Sequence, residues 1–194
     1  MVGACIAADS DIILEHVGIN ATRDGVIHIL RLMGADISVF NQRRVGGEPV
    51  ADIRVCSSRI KGIAIPAQLV PLAIDEFPAL FIAAACAEGE TVLTGAEELR
   101  VKESDRIQVM ADGLITLGIQ AEATADGIKI MGGQLQGGTV DSRGDHRIAL
   151  SVAMAALRAA AEIRVENCAN VNTSFPGFTG LAGRTGLQIS ERRQ

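Results

Sequence analysis

Two short segments concentrate the side chains that could do chemistry. The first, Arg100–Arg106, reads Arg-Val-Lys-Glu-Ser-Asp-Arg and has five ionisable residues in seven. It lies between a predicted strand and a predicted helix, so the free N–H groups of the helix N-terminus would join Lys102 and Arg106 in an anion site. On charge content alone, an exposed helix start with a capping residue and surface ion pairs explains the pattern equally well.

The second segment, Asp145-His146-Arg147, follows Gly144 and opens another predicted helix. An acid, an imidazole and a guanidinium in consecutive positions can surround one bound anion. The simpler interpretation is an aspartate N-cap with two exposed residues in the first turn. Because cations oppose the helix dipole at this end, their presence favours a bound anion that compensates them.

A third candidate is Asp75, which follows the apolar stretch 63–74. We predict it as the N-cap of a helix over about 79–88, and a carboxylate at the edge of an apolar segment could also carry a proton. A purely capping role is the simpler interpretation of this residue taken alone.

These candidates belong to a structural unit that the chain repeats. Each copy has a β-rich run, a polar turn, an amphipathic helix, a glycine where the helix should end, and a second β-rich run. The first copy comprises the run and turn 12–23, a helix over about 24–33 and the run 34–39. The second comprises 91–94, the turn 100–106, a helix over about 106–117 and 118–121. The third comprises 163–166, the turn 171–176, a helix over about 177–184 and 186–189. With further helices over 79–88 and 148–161, the sequence predicts repeated βαβαββ-like units and an α/β fold.

Composition narrows the class of protein. The chain has 194 residues, of which 48% are hydrophobic, with no Trp or Tyr and a net charge of −5. We therefore expect one domain with an aliphatic core, and neither nucleic acid nor a membrane as partner. Four scattered cysteines predict reduced thiols and a cytoplasmic protein. The first ten residues resemble the end of a helix, so we predict a piece of a longer chain.

Two motifs together resemble the signature segments of the EPSP synthase family. They read Leu-Arg-Val-Lys-Glu-Ser-Asp-Arg-Ile at 99–107 and Gly-Asp-His-Arg-Ile-Ala-Leu at 144–150. The segments 18–23, 32–36 and 173–176 are also similar to that family, and the resemblance covers essentially the whole of residues 1–194. It identifies the chain as the C-terminal half of such an enzyme, with the N-terminal half absent.

The resemblance implies a fold and a reaction. The fold is a two-domain enolpyruvyltransferase of the inside-out barrel type, built from six βαβαββ units, of which this chain would supply most of one domain. The reaction transfers the enolpyruvyl group of phosphoenolpyruvate to the 5-hydroxyl of shikimate 3-phosphate and releases phosphate, with no metal or organic cofactor. Chorismate and the aromatic amino acids lie downstream of this step in the shikimate pathway.

The resemblance also implies roles for residues of this sequence. Asp75 resembles the carboxylate that deprotonates the 5-hydroxyl, and Glu103 resembles the group that exchanges a proton with the phosphoenolpyruvate methylene. Lys102 would contact substrate and stabilise charge. The substrate anions would be bound by Arg106, His146 and Arg147, whereas Asp145 would orient or cap.

The sequence departs from the family pattern at two positions, and two alternative functions stay open. Thr173 stands where many members of the family have a lysine, and Glu98 stands where some have asparagine. One alternative is the related transferase that acts on UDP-N-acetylglucosamine. The other is a non-catalytic domain with a weak anion site, which is the behaviour we expect of the isolated chain.

Overall fold

The computed structural model describes residues 1–192, which form short helices and short strands. The helices are α1 (Val2–Ile6), α2 (Gly25–Leu32), α3 (Phe77–Ala85), α4 (Arg106–Thr116), α5 (His146–Ala155), α6 (Val171–Ser174) and α7 (Phe178–Arg184). The strands are β1 (Asp11–Gly18), β2 (Asp36–Val45), β3 (Glu48–Cys56), β4 (Glu90–Leu93), β5 (Gln120–Ala123), β6 (Ile128–Met131), β7 (Gly138–Asp141) and β8 (Ile163–Glu166). Three 3-10 helices cover Ala67–Leu69, Pro71–Glu76 and Glu97–Val101.

The strands form three small sheets, one for each repeat. Antiparallel pairing gives the strand orders β1-β3-β2 and β4-β6-β5, and β7 pairs with β8 in parallel. In the second repeat, Lys61 and Ala64 make parallel bridges to Glu88 and Val92, so a short first strand precedes α3, β4, α4, β5 and β6. The second repeat is therefore a complete βαβαββ unit, which confirms the predicted fold class.

The three helix ends that were predicted to need a left-handed glycine share one geometry. Gly34, Gly118 and Gly186 have φ values of +93°, +82° and +100°. At each end, the residue after the glycine donates its N–H to a carbonyl five residues earlier, as Ala35 does to Leu30 at 2.9 Å. This is the Schellman arrangement, and its repetition shows that the copies match in backbone geometry as well as in sequence.

The core lies around α3 and is aliphatic, as the composition predicts. Eight of the nine residues of α3 are buried. A helix that is apolar on all sides must be covered on all sides, and α3 packs against α1, α4 and α5. Phe77 and Phe81 add an aromatic pair with ring centroids 5.8 Å apart. The starts of α4 and α5 are thereby held beside the start of α3.

Some predicted elements differ from the structure. Asp75 is not an N-cap: it lies in the 3-10 helix before α3, which begins at Phe77 after Glu76 with no side-chain cap. Pro78 is in the first turn of α3 and has no N–H group. A capping side chain before α3 would therefore have one backbone donor fewer to bind.

The remaining differences concern the ends of elements. Helix α3 ends at Ala85 and α5 at Ala155, earlier than predicted. After α5, the N–H of Ala160 bonds to the carbonyl of Leu135 instead of continuing the helix. The predicted strand over 186–189 is absent because no strand among residues 1–192 pairs with it.

No helix in the part of the chain that the structure describes is both long enough and apolar enough to cross a bilayer.

Candidate active site

The carboxylate of Asp75 lies at the centre of a cluster of cations. Its Oδ1 atom is 3.7 Å from Nζ of Lys102 and 3.5 Å from Nη1 of Arg106. Its Oδ2 atom is 3.6 Å from Nη2 of Arg147 and 3.5 Å from Nη2 of Arg23. Nη1 of Arg147 also donates to the Asp75 carbonyl oxygen at 2.8 Å. Lys102, Arg106 and Arg147 thus all contact Asp75. These four predicted site residues come from segments up to about seventy positions apart in sequence.

A buried ion pair joins the starts of α4 and α5. Nε of Arg106 donates to Oδ2 of Asp145 at 2.8 Å, and the two side chains are 3% and 0% exposed. Asp145 also caps α5, because its Oδ1 accepts from the N–H groups of Arg147 at 2.9 Å and Ile148 at 3.4 Å. Ser104 Oγ donates to Oδ2 at 3.2 Å. The predicted capping role of Asp145 is confirmed.

Opposing effects act on the ionisation of Asp145. Burial raises the pKa of its carboxyl group, but the hydrogen bond and the charge of Arg106, with the two N–H donors of α5, outweigh burial. The pKa therefore lies below its usual value of 3.8. Asp145 stays ionised and keeps Arg106 in place.

Glu103 and His146 form a second link between the same two helix starts. Nδ1 of His146 is 2.9 Å from Oε2 of Glu103, and the two side chains are 20% and 47% exposed. Oε1 of Glu103 is 4.0 Å from Nη2 of Arg106. An accessible carboxylate beside an imidazole and a guanidinium has the composition of a proton-transfer group with charged neighbours.

Lys102 is positioned by carboxylates on two sides. Its Nζ atom bonds to Glu98 one turn earlier as well as approaching Asp75. Glu98, the second expected departure from the family pattern, therefore pairs with a predicted site residue. The side chain of Lys102 is 25% exposed, so part of it can still meet a ligand.

The loop that carries Lys102 and Glu103 is fixed at both ends. Asp105 caps α4 by accepting from the N–H of Gln108 at 3.0 Å, and its other oxygen accepts from Arg100 at 2.6 Å. Arg100 also donates to the carbonyl oxygens of Thr124 and Ala125. Asp105 is thus the capping residue of α4, and Ser104 instead contacts Asp145.

Two residues of the cluster were not predicted as site residues. Arg23 reaches Oδ2 of Asp75 from the first repeat. Nη1 of Arg147 is 3.9 Å from Glu76. Burial raises the pKa of Glu76, and the charges of Arg147 and Arg23 oppose that rise. The available signal for Arg23 was the repeat, since Arg23 and Arg106 occupy matching turns before a helix.

Thr173, the first of the two expected departures from the family pattern, lies in α6 and is exposed. Its side chain forms no hydrogen bond within residues 1–192, although α6 itself packs against α5. Asn170, at the start of α6, donates to the carbonyl oxygen of Gly144 at 2.6 Å. The segment is therefore attached beside the second motif.

One group of side chains has the composition of a metal site. Ligand atoms of Glu103, Asp145 and His146 all lie within 4.8 Å of one another. The oxygens of Asp145 already accept from Arg106, Ser104 and two backbone N–H groups. A cation there would have to displace the buried guanidinium of Arg106, so the donor set suits an ion-pair network better than a metal.

Comparison with known proteins identifies the class to which this site belongs. Residues 1–181 match the family model described as EPSP synthase (3-phosphoshikimate 1-carboxyvinyltransferase). A 3-phosphoshikimate 1-carboxyvinyltransferase of Alkalilimnicola ehrlichii is 67% identical over 98% of this chain and 43% of its own length. The corresponding protein of Nitrosococcus oceani is 69% identical over 97% of this chain and 43% of its own length.

Solved structures agree with the sequence comparison. EPSP synthase from Acinetobacter baumannii superposes with a TM-score of 0.97 and 58% identity, over 99% of this chain and 45% of that one. The chain belongs to the EPSP synthase family. It spans about 43% of the length of the relatives it matches.

The ionised state of Asp145 predicts acid-sensitive stability. Because its pKa is below 3.8 in the folded chain, the stabilisation is fully present above the pKa of the unfolded state and is lost as the pH falls through the folded-state pKa. We expect Asp145→Asn to lower the free energy of unfolding at pH 7, and the difference from the unchanged chain to shrink below about pH 4. Urea denaturation at several pH values measures this difference.

The matched control is Asp9→Asn, which changes an exposed carboxylate and should alter the free energy of unfolding little at pH 7. The difference in the free energy of unfolding between Asp145→Asn and the unchanged chain should shrink as the pH falls. If it stayed constant from pH 7 to pH 3, the charge of Asp145 would not contribute to stability.

Proposed function

We propose that the full-length enzyme transfers the enolpyruvyl group of phosphoenolpyruvate to the 5-hydroxyl of shikimate 3-phosphate and releases phosphate. Residues 1–194 are its C-terminal half, and the N-terminal half of the same enzyme completes the site. The observation that carries the proposal is the convergence of Lys102, Arg106 and Arg147 on Asp75, with Glu103 and His146 paired alongside. Such a cluster suits a small ligand with several negative charges.

Asp75 takes the proton of the 5-hydroxyl in this proposal. Its two carboxylate oxygens, which lie 3.5–3.7 Å from nitrogen atoms of Lys102, Arg106 and Arg147, are the atoms that accept this proton. As the hydroxyl oxygen attacks the central carbon of phosphoenolpyruvate, the methylene carbon of that substrate gains a proton from Glu103. The result is a tetrahedral intermediate without a covalent bond to the protein.

The intermediate collapses by the reverse proton movements. Phosphate leaves with the proton that Asp75 took from the hydroxyl, the methyl group returns a proton to Glu103, and the enolpyruvyl double bond forms again. Lys102, Arg106 and Arg147 bind the phosphate and carboxylate groups of the substrates, and His146 supports the same anion. The proposal requires acids, bases and cations, and neither a metal nor an organic cofactor.

A product assay tests the proposal directly. The full-length enzyme is incubated with phosphoenolpyruvate and shikimate 3-phosphate, and phosphate release is compared with formation of the enolpyruvyl product by mass spectrometry. We expect one phosphate for each product molecule. Activity with UDP-N-acetylglucosamine as acceptor, and none with shikimate 3-phosphate, would reject the proposal in favour of the related transferase.

The isolated chain should not turn over, because it supplies only one side of the site. We expect no product from the chain alone and recovery of activity when the N-terminal half is added. The corresponding alternative is a non-catalytic domain that binds anions weakly, and it predicts no recovery on mixing. Product formed by the chain alone would refute the split site.

We also place the enzyme in the cytoplasm. The four cysteines are free, and unpaired thiols are typical of a reducing compartment.

A further inference from the structure

The first sheet has two irregularities opposite neighbouring residues of its central strand, one on each side of that strand. Pairing of β1 with β3 shifts by one residue between Leu14 and Val17. Pairing of β2 with β3 shifts between Phe40 and Arg43. In β1, residues 15–16 face Asp52 of β3, whereas in β2, residues 41–42 face Ala51. The two bulged segments contain His16 and Asn41 at φ +59° and +50°. These shifts are β-bulges.

The side chain of Asp52 holds both bulges. Its Oδ1 accepts the N–H of His16 at 2.9 Å, and its Oδ2 accepts from Nδ2 of Asn41 at 3.0 Å. Arg43 adds a contact to Oδ1 at 3.4 Å and donates to the Asn41 carbonyl oxygen at 2.8 Å. The bond from His16, followed by that from Asn41, lowers the pKa of Asp52. Only 14% of its side chain is exposed.

The bulge in β1 sets the position of the next turn. Beyond it, Gly18 pairs with Val50, and the N–H of Ile19 donates to the Pro49 carbonyl oxygen at 2.9 Å. The N–H of Arg23 then donates to the Asn20 carbonyl oxygen at 2.8 Å. Without the extra residue, this segment would slip by one position, or about 3.3 Å, along β3. The bulge therefore fixes the register of the segment that leads to Arg23.

Arg23 completes a symmetrical set of contacts. Lys102 and Arg106 approach Oδ1 of Asp75, whereas Arg147 and Arg23 approach Oδ2. A carboxylate with cations at both oxygens cannot rotate without losing contacts on both sides. Arg23 is the member of this set that neither motif contains, and its side chain is 67% exposed.

We propose that Arg23 is a positioning residue that holds the Asp75 carboxylate in its reactive orientation, and that Asp52 places Arg23 through the bulge in β1. The inference rests on the proposed function, in which Asp75 takes the proton of the 5-hydroxyl. An effect through Asp75 changes the rate of proton transfer more than the binding of either substrate, so kcat should respond and KM should not.

The test begins with Arg23→Gln in the full-length enzyme. Because Arg23 is exposed, we expect kcat to fall only about fivefold while both KM values stay within about twofold. Arg23→Lys should recover part of kcat, since it restores the charge without the planar geometry. Unchanged kcat in Arg23→Gln would overturn the proposal.

The second part compares Asp52→Ala with the double variant. If Asp52 acts through Arg23, Asp52→Ala lowers kcat to a similar extent, and Asp52→Ala combined with Arg23→Gln is no worse than either alone. A fully additive loss in the double variant would overturn the role of Asp52. If Asp52→Ala does not fold, Asp52→Asn replaces it, because the amide oxygen can still accept one of the two bonds.

The chain offers a matched control in the same pair of strands. Asp11 of β1 accepts from Arg54 of β3 at 2.8 and 2.6 Å, at the end of the sheet away from Arg23. Asp11→Ala should leave kcat unchanged, and an equal loss there would assign the effect to general loosening of the sheet. If the unmutated enzyme forms no product, the proposed function fails, whereas an active enzyme that tolerates Arg23→Gln refutes only this inference.

Discussion

Asp75→Asn in the full-length enzyme is expected to lower kcat by about 10²- to 10⁴-fold, the range typical of a lost general base. Asparagine has nearly the same shape but cannot take a proton at neutral pH. It also leaves Lys102, Arg106 and Arg147 without the carboxylate that they share. Steady-state kinetics with both substrates measures the loss, and thermal melting checks that the variant is folded.

Glu97→Gln provides the control for this experiment. Glu97 is an exposed carboxylate in the 3-10 helix that precedes Lys102. The substitution Glu97→Gln removes one negative charge close to the site, as Asp75→Asn does, and should leave kcat unchanged. An Asp75→Asn variant that retains more than a tenth of the original kcat would show that Asp75 is not the base.

Asp145→Ala is expected to cost about 3–5 kcal/mol of the free energy of unfolding, because it leaves the buried guanidinium of Arg106 without its main partner. It also removes the cap of α5. Chemical denaturation of the chain at pH 7 gives the value. Because the pair joins α4 to α5, we also expect activity of the full-length Asp145→Ala enzyme to be lost.

Two further variants show whether the cost comes from the uncompensated charge. Replacing both residues, with Arg106→Met and Asp145→Leu, should cost less than Asp145→Ala alone, because no charge then stays buried without a partner. Asp112→Ala on the exposed face of α4 is the matched control and should cost less than about 1 kcal/mol. If Asp145→Ala also lowered the free energy of unfolding by less than about 1 kcal/mol, the buried pair would not be important for stability.

Much of the fold could be predicted from local patterns. The glycines at 34, 118 and 186 were identified from the repeat, and all three have the left-handed geometry. Asp145 was identified as a cap from its place before an apolar run, and it is one. Such features depend on residues within a few positions of one another, and for that reason a single sequence reveals them.

The features that sequence reasoning missed depend on distant partners. Asp52 holds bulges in two other strands, and no pattern within β3 indicates that it does so. The predicted strand over 186–189 has suitable residues but no partner among residues 1–192. Asp75 was predicted to cap a helix, because the sequence did not show that the 3-10 helix would continue to Glu76.

The candidate site was predicted in part. The residues of the two motifs and Asp75 were identified mainly through the family resemblance, and the structure brings them together. Spacing alone did not require that Asp75 and Arg147, which are seventy-two positions apart, would be in contact. Arg23 was overlooked because its turn lacks the Lys-Glu pair that makes the second repeat conspicuous.

The structure of the full-length enzyme with phosphoenolpyruvate and an unreactive analogue of shikimate 3-phosphate tests the central claim most directly. We expect nitrogen atoms of Lys102, Arg106 and Arg147 within about 3.2 Å of phosphoenolpyruvate oxygens, and Glu103 beside the methylene carbon. The reacting position of the shikimate analogue should lie next to Asp75. Phosphoenolpyruvate bound away from the starts of α4 and α5 would contradict the account.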